Sequence, residues 1–244
     1  MFAKVPAVQR NRVFRIGGFV AGGLLIAFGI ATIVISVIGA NTVNTNLRNE
    51  YITGTPDMTP SGIQPEVDAI KAEQQKIVAA QKKAKVPASQ QITLTPVSAP
   101  SCSVAGKQVD NGVAAQCFAR YMRIHALGAS SGLTYSQMGQ FAASPSAPPR
   151  STDFNGGTSD PKYAQIDPKT GKPVSNGARN LWVTETALTT ALYLAFTGNA
   201  ISLFGIVVGV ALILTGIGFV VLTLAALPAR SGEGVAAQAA PAAT

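Results

Sequence analysis

The chain has 244 residues, of which 47% are hydrophobic and only 12% are charged. About a quarter of the residues of a soluble protein are charged, so this composition argues against a soluble enzyme. The net charge of +8 would suit a nucleic-acid-binding protein, but the positive mean hydropathy of +0.28 indicates that apolar surface is placed in a lipid bilayer.

The first apolar segment predicts a transmembrane helix over residues 16–40. This run contains no charged residue, and at about 1.5 Å per residue it is long enough to cross a hydrocarbon core of roughly 30 Å. A cleaved signal peptide is the alternative, but its apolar region has about 7–15 residues and ends in a small-x-small site. Here the run is longer and Ile38 interrupts that pattern before Ala40, which favours an uncleaved anchor.

The second apolar segment has no charged residue between Glu185 and Arg230. Threonines and Asn199 dilute its beginning, whereas residues 200–227 are densely apolar. We therefore predict one helix over 186–228 that enters the membrane, with a second transmembrane helix at about 200–228. A helical hairpin turning at Gly198 and Asn199 is the alternative, although its first arm has too few apolar residues for a span of about 20.

Basic residues set the expected orientation. Lys4, Arg10, Arg12 and Arg15 precede the first span, so the positive-inside rule predicts a cytoplasmic N-terminal tail over 1–15. Two spans then place the tail 229–244 in the cytoplasm and the domain 41–185 outside the cell (plasma) membrane. The exported domain is only mildly basic, which excludes nucleic acid as the expected partner.

The chain has two cysteines, Cys102 and Cys117, and both lie in the segment expected to be exported. This placement predicts a disulfide bond, which for a loop near 15 residues stabilises the fold by about 3 kcal/mol. Two free thiols are the alternative. A catalytic dithiol is disfavoured because the chain has no CxxC spacing.

Inside the exported domain, periodicity predicts an amphipathic helix over 63–86 and a second helix over 111–127. The narrow stripe of the first helix, interrupted by Gln74, fits either self-association or packing on the domain. Asn111 is expected to cap the second helix, and Asn180 the helix that becomes the second span. Residues 134–141 predict one helical turn, and 143–178 a long mobile or functional loop. The buried face of the second helix is predicted to contain Val113, Cys117, Phe118, Tyr121, Ile124 and Leu127.

Small residues in the spans are the clearest specific pattern, and they predict close helix packing within one chain or between copies. The alternative is that glycine is simply frequent in membrane helices. Neither apolar core contains an ionisable residue, which disfavours a transporter. The glycines are Gly18, Gly22, Gly205, Gly209 and Gly216.

Little catalytic chemistry is available, because the chain has one histidine and two cysteines. We therefore expect no metal, no cofactor and no catalytic residues. His125 is expected to have a structural role, since a catalytic triad would need a nucleophile and an orienting acid in the fold. The candidate residues for a ligand or contact surface are Tyr121, His125, Tyr135, Trp182 and Glu185.

Five blocks, in this order, carry a resemblance to a family: LRNEYIT after the first span, AGKQV, the segment ending in His125-Ala126-Leu127, SSGLTYSQM, and ARNLWVTETALTTALYLAF before the last span. They resemble an uncharacterised family of actinobacterial two-span membrane proteins, many of which carry the name aromatic ring-opening dioxygenase. That name implies an iron held by two histidines and a carboxylate, and the single His125 cannot supply this set.

These observations predict an α-dominated membrane protein, in which two transmembrane helices flank a small exported, mostly helical domain with long loops. The expected function is a non-catalytic interaction or accessory subunit of an actinobacterial cell-envelope complex. Expected partners are the lipid bilayer, other membrane or envelope proteins, and further copies in a homo-oligomer. One alternative is a lipid or glycan receptor with a pocket lined by Tyr121, His125 and Trp182; another is an exported hydrolase in which His125 meets a Ser or Asp.

Overall fold

A computed structural model describes residues 7–88, 91–147 and 156–226. In these ranges the chain is helical and contains no β-strand, only isolated β-bridges. Two single 3₁₀ turns, Tyr135–Gln137 and Pro161–Tyr163, lie between the last two helices. The helices are α1 (Ala7–Asn49), α2 (Gln64–Lys83), α3 (Gly112–Ala129) and α4 (Gly177–Ala226).

The chain divides into two compact units. The helical pair comprises the part of α1 up to Ile38 and the part of α4 from Ile201. The central unit comprises Gly39–Ala200. Both α1 and α4 are long and apolar enough to cross a membrane, since an 18-residue stretch has a mean hydropathy of 2.4 within Val13–Asn49 and of 2.7 within Gly177–Ala225. The tail 229–244 and the last two residues of the predicted second span lie outside the described residues.

Helix α4 runs without a break through Gly198 and Asn199, so the hairpin alternative is wrong. The physical reason is that this part of α4 is held against α1. A Cβ on Gly198 would touch the Val43 side chain at 3.2 Å, and the Asn199 side chain donates a hydrogen bond to Asn44 Oδ1 at 2.8 Å. Glycine alone costs an α-helix only about 1 kcal/mol, which such contacts offset.

The helical pair is joined by a seam of small residues. A Cβ added to Gly22 would lie 2.7 Å from the Gly216 carbonyl oxygen, and one added to Gly209 would lie 2.7 Å from that of Gly29. Gly18 faces Thr223 and Gly205 faces Ser36 in the same way. The buried seam residues recur every seven positions, the repeat of helices that supercoil around each other. They are Gly22, Gly29 and Ser36 on α1 and Ser202, Gly209, Gly216 and Thr223 on α4.

The core of the central unit forms where α2 packs against α3. The apolar stripe of α2 is buried in this core, so here the stripe packs on the domain. Gln74, which interrupts the stripe, is also buried; its Nε2 donates to the carbonyls of Thr95 at 3.1 Å and Gly132 at 3.0 Å. The polar residue thus ties two loops to α2, because each of those carbonyls needs a donor.

Several predicted boundaries shift in the structure. Asn111 caps α3 as predicted, by accepting from the Ala114 amide at 3.0 Å, but Val113 is 68% exposed and does not belong to the buried face. Asn180 does not cap α4; the helix begins at Gly177, and Asn176 accepts from the Ala178 amide at 3.1 Å.

The predicted 143–178 loop is less irregular than its composition indicates. Antiparallel bridges join Phe141 to Thr158 and Ser175, Ala143 to Ala164, and Ile166 to Pro173. The described parts of the loop therefore fold back on themselves through backbone hydrogen bonds. The Pro and Gly content of the sequence gives no indication of this pairing. Residues 148–155 lie outside the described residues.

The glycine seam makes a direct prediction for the helical pair. Gly209→Leu should lower the free energy of unfolding in detergent by about 1–3 kcal/mol, because its side chain meets Ile33 and the Gly29 carbonyl. Gly218→Leu is the matched control, since a Cβ there meets no atom within 4 Å. Thermal unfolding midpoints measure the difference, and equal midpoints for the two variants would contradict the packing.

Candidate functional site

His125 on α3 meets Asp57, which lies between α1 and α2. The Nε2 atom of His125 lies 2.7 Å from Asp57 Oδ2, and the Thr55 hydroxyl donates to Asp57 Oδ1 at 2.5 Å. The Thr55 hydrogen bond, followed by His125, holds the pKa of Asp57 below its ordinary value of 3.8 against the opposing effect of burial. Asp57 is therefore an ionised group that joins the α1–α2 segment to α3.

This pair has one chemical capability beyond joining two segments. A carboxylate bonded to one ring nitrogen orients an imidazole and stabilises its protonated form, as in hydrolytic triads. Among the described residues, no hydroxyl group is hydrogen-bonded to His125. The role of Asp57 was not predictable from the sequence, because no spacing rule links a residue in a Pro-rich turn to a helix residue 68 positions later.

Tyr121 precedes His125 by one helical turn and is fully buried. Its hydroxyl donates to the Cys102 carbonyl at 2.6 Å. Burial, and then the negative charge of Asp57, raise the pKa of Tyr121 above 10.0, which keeps the hydroxyl a donor. Cys102 and Cys117 are at disulfide distance, with Cα atoms 6.1 Å apart. Tyr121 and the disulfide thus hold the same extended segment against α3.

Trp182 fastens the start of α4 to the end of α3. Its indole Nε1 donates to Ser130 Oγ at 3.0 Å and to the Leu133 carbonyl at 2.8 Å. The Arg123 guanidinium lies 5.1 Å from the centroid of the indole ring, within the range of a cation–π contact. Trp182 is 4% exposed, so its hydrogen-bonding group is fully used inside the domain.

Glu185 and Tyr135 complete the predicted set. Glu185 follows Trp182 by one turn of α4 and is buried, and the positive charge of Arg123 interacts with its carboxylate. Burial raises the pKa of the Glu185 carboxyl above its ordinary value of 4.5, and the positive charge of Arg123 opposes this shift only in part. Tyr135 is 44% exposed, and the Arg179 guanidinium stacks on it at 3.9 Å from the ring centroid.

The five predicted residues do not form one site. Positions 121 and 123 are about 200° apart around an α-helix. Tyr121 and His125 therefore face one side of α3, whereas Arg123 on another side contacts Trp182. Consequently, Tyr121, His125 and Trp182 do not line one pocket. The described part of the chain also holds no group of three His, Cys, Asp or Glu residues that could bind a metal ion.

A different surface emerges on the first half of α4. Val183, Ala187, Thr190 and Leu194 are exposed and lie opposite the buried stripe of this helix. We call these four residues the outer face of α4. Val183 is 55% exposed and Leu194 is 69% exposed. Their 4-3-4 spacing is that of a coiled-coil seam. This spacing was not recognised in the sequence because the residues belong to a longer apolar run.

The part of α1 beside the outer face is polar. The hydrogen bond from Asn199 to Asn44 fixes the register of the two helices in the central unit. Five residues beyond this pair, about 7.5 Å along each helix, α4 exposes Leu194 while α1 ends at Asn49. Next to the pair, α1 exposes polar side chains that would be costly in hydrocarbon. They are Asn41, Thr45, Asn46 and Arg48.

Comparison with protein-family models, with curated proteins and with solved structures gives no match to this chain.

Replacement of Asp57 tests the pairing with His125. Because the folded pKa of Asp57 is below 3.8, its ionised form stabilises the fold above that pH, and the stabilisation is lost as the pH falls through the lower folded pKa. We expect Asp57→Asn to remove part of the stability loss of the wild type in this acid range. The effect should stay under about 1 kcal/mol, since the Asp57 side chain is 43% exposed.

Denaturant unfolding at several pH values, followed by Trp182 fluorescence, measures this difference. The effect of Asp57→Asn should be smaller in a His125→Gln background, because the two changes remove the same contact. Equal acid profiles for the wild type and Asp57→Asn would contradict the pairing.

Proposed function

We propose that this protein is a non-catalytic, membrane-anchored interaction or accessory subunit of a cell-envelope complex. In this proposal the chain spans the membrane twice, both termini are cytoplasmic, and the domain 41–185 lies outside. The observation that carries it is the outer face of α4, an exposed and uncharged row of residues on a helix that is long and apolar enough to cross a membrane.

The expected partner follows from the chemistry of this face. Exposed apolar rows are unfavourable in water, and in folded proteins they mark contact surfaces. The 4-3-4 spacing suits a second helix that inserts its side chains between those of α4. Since the face carries no charge, the complementary helix should also be apolar. The membrane-anchored continuation of α4 favours a partner that is itself a membrane protein.

The disulfide and the basic flank support the proposed orientation. Disulfide bonds form and persist in oxidising compartments outside the cytoplasm. The two cysteines belong to the central unit, whereas the basic residues precede α1's apolar stretch. Both features therefore favour the same arrangement by independent physical reasons, one redox and one electrostatic.

The His125–Asp57 pair favours a second candidate, an exported hydrolase in which Asp57 orients His125 as a general base. A nucleophile would have to come from a hydroxyl group that moves into reach or from bound water. The two candidates separate with His125→Gln. A hydrolase should lose activity with this variant while it stays folded, whereas an accessory subunit should keep both its partner and the function of its complex.

The double variant Val183→Lys/Leu194→Lys tests the outer face. We expect recovery of the partner after cross-linking and affinity purification to fall by about tenfold or more, because an apolar contact would have to bury unpaired ammonium groups. Both positions are exposed, so the unfolding temperature of the isolated protein should change little. Quantitative mass spectrometry of the recovered proteins gives the ratio, and the mass of the detergent-solubilised protein reports self-association.

Val113→Lys is the matched control, since Val113 is a 68% exposed valine on α3 and is not one of the four residues of the outer face of α4. The control should recover the same proteins as the wild type. If the double variant recovers them equally well and keeps the same oligomeric state, the outer face is not the contact surface.

A further inference from the structure

Three lysines cluster where α2 ends, and we call them the basic end of α2. Lys82 and Lys83 are the last two residues of the helix, and Lys85 follows after one residue. All three are exposed. The sequence has no acidic residue between Glu73 and Asp110, and in the described part of the chain no salt bridge involves these lysines. The basic end therefore carries three positive charges that the fold does not neutralise.

Lys85 occupies a backbone conformation that favours glycine. Its φ is +53°, in the left-handed region. Two hydrogen bonds at the end of α2 impose this conformation: the Val86 amide donates to the Gln81 carbonyl at 3.0 Å, and the Lys85 amide to the Lys82 carbonyl at 3.0 Å. Glycine is the usual residue here, because a Cβ is unfavourable in this conformation. The helix dipole favours cations in the last turn, but a glycine at position 85 would leave Lys82 and Lys83 in place. An exposed lysine kept in strained backbone therefore points to a contact outside the chain.

The basic end lies far from the place where α1 and α4 leave the central unit. The start of α3 packs against Asn199, which is next to the end of this unit. At the other end of α3, the Glu66 side chain of α2 packs on Gly128. Further along α2, Gln74 donates to the Gly132 carbonyl at 3.0 Å. Helix α2 therefore continues past the end of α3, and the basic end follows Gln74 by about 12 Å or more.

Charge complementarity selects an anionic partner, and the arrangement of the charges selects a polymer. Lysine binds phosphate as a point charge, without the fixed geometry of arginine. A single small anion is held by polar groups that converge in a concave site, whereas the three lysines lie side by side on an exposed helix end. A membrane surface would meet the central unit where α1 and α4 leave it, and the basic end is not there.

We propose that the basic end of α2 binds a flexible phosphodiester polymer of the cell envelope. Successive phosphates of such a chain can each approach one lysine without an ordered site. The binding itself is separate from the outer face of α4, but the placement of the polymer in the envelope rests on the proposed function. The protein would thereby hold its complex to an anionic polymer outside the membrane.

Fluorescence anisotropy of labelled poly(glycerol phosphate), titrated with the full chain in phosphatidylcholine nanodiscs, tests this proposal. The logarithm of the wild-type affinity should fall with the logarithm of the salt concentration with a slope of about −2, the value for three lysine contacts to a flexible single-stranded polyanion. The triple variant Lys82→Gln/Lys83→Gln/Lys85→Gln should bind about tenfold more weakly or worse at low salt and lose most of this slope.

The triple variant Lys162→Gln/Lys169→Gln/Lys172→Gln is the matched control. It removes the same charge from three exposed lysines in another part of the central unit. This control should bind the polymer like the wild type, since the effect depends on the basic end and not on the net charge of the protein.

A single variant separates binding from folding. Lys85→Gly should unfold at the wild-type temperature or above it, because glycine is favoured at this φ. Its affinity for the polymer should nevertheless fall by about fivefold, the loss of one lysine contact.

The proposal is overturned if the wild type does not bind the polymer, or if the two triple variants lose affinity equally. It is also overturned if phosphatidylglycerol vesicles bind to the basic end more tightly than the polymer does. None of these results would change recovery of the partner through the outer face of α4, so a failure here is distinguishable from a failure of the proposed function.

Discussion

The absence of any charged residue between Glu185 and Arg230 is the constraint on which the structure depends. The uncharged segment forms one continuous helix, α4, whose two halves have different surroundings. The second half of α4 pairs with α1 through glycines and is apolar enough for lipid, whereas the first half supplies Trp182, Glu185 and Leu192 to the central unit. A bilayer needs only about 20 residues of such a helix. The uncharged remainder explains why α4 has an apolar face left over where α1 has turned polar.

Features governed by local periodicity could be predicted from the sequence, and contacts between distant segments could not. The two apolar helices and the α2 stripe follow from spacing alone, and the cysteine pair from composition and compartment. The buried position of Gln74 in the apolar stripe could not be explained from the sequence, because its hydrogen-bond partners lie in loops that have no periodic pattern. Asn176, and not the predicted Asn180, caps α4. Both asparagines are suitable capping residues, and the backbone geometry that decides between them cannot be read from the sequence.

The candidate site shows the same division. Each predicted residue makes defined contacts in the structure. Tyr121, Trp182 and Glu185, however, are buried and hold the central unit together, so they are not exposed to a partner. Aromatic and charged residues in a helical pattern are as suitable for buried polar contacts as for binding, and sequence alone does not distinguish these uses. The outer face of α4 was hidden for the opposite reason, since an exposed Leu or Val in an apolar run looks like membrane.

The central claim is that the membrane separates the N-terminus from the disulfide-bonded central unit. Single-cysteine variants Val8→Cys and Lys169→Cys, labelled in intact cells with a membrane-impermeant maleimide, test it most directly, because the paired native cysteines leave little background. The account predicts that the cysteine at position 169, in an exposed turn, is labelled in intact cells, and that the one at position 8 reacts only after permeabilisation. Labelling of position 8, or protection of position 169, in intact cells would contradict the account.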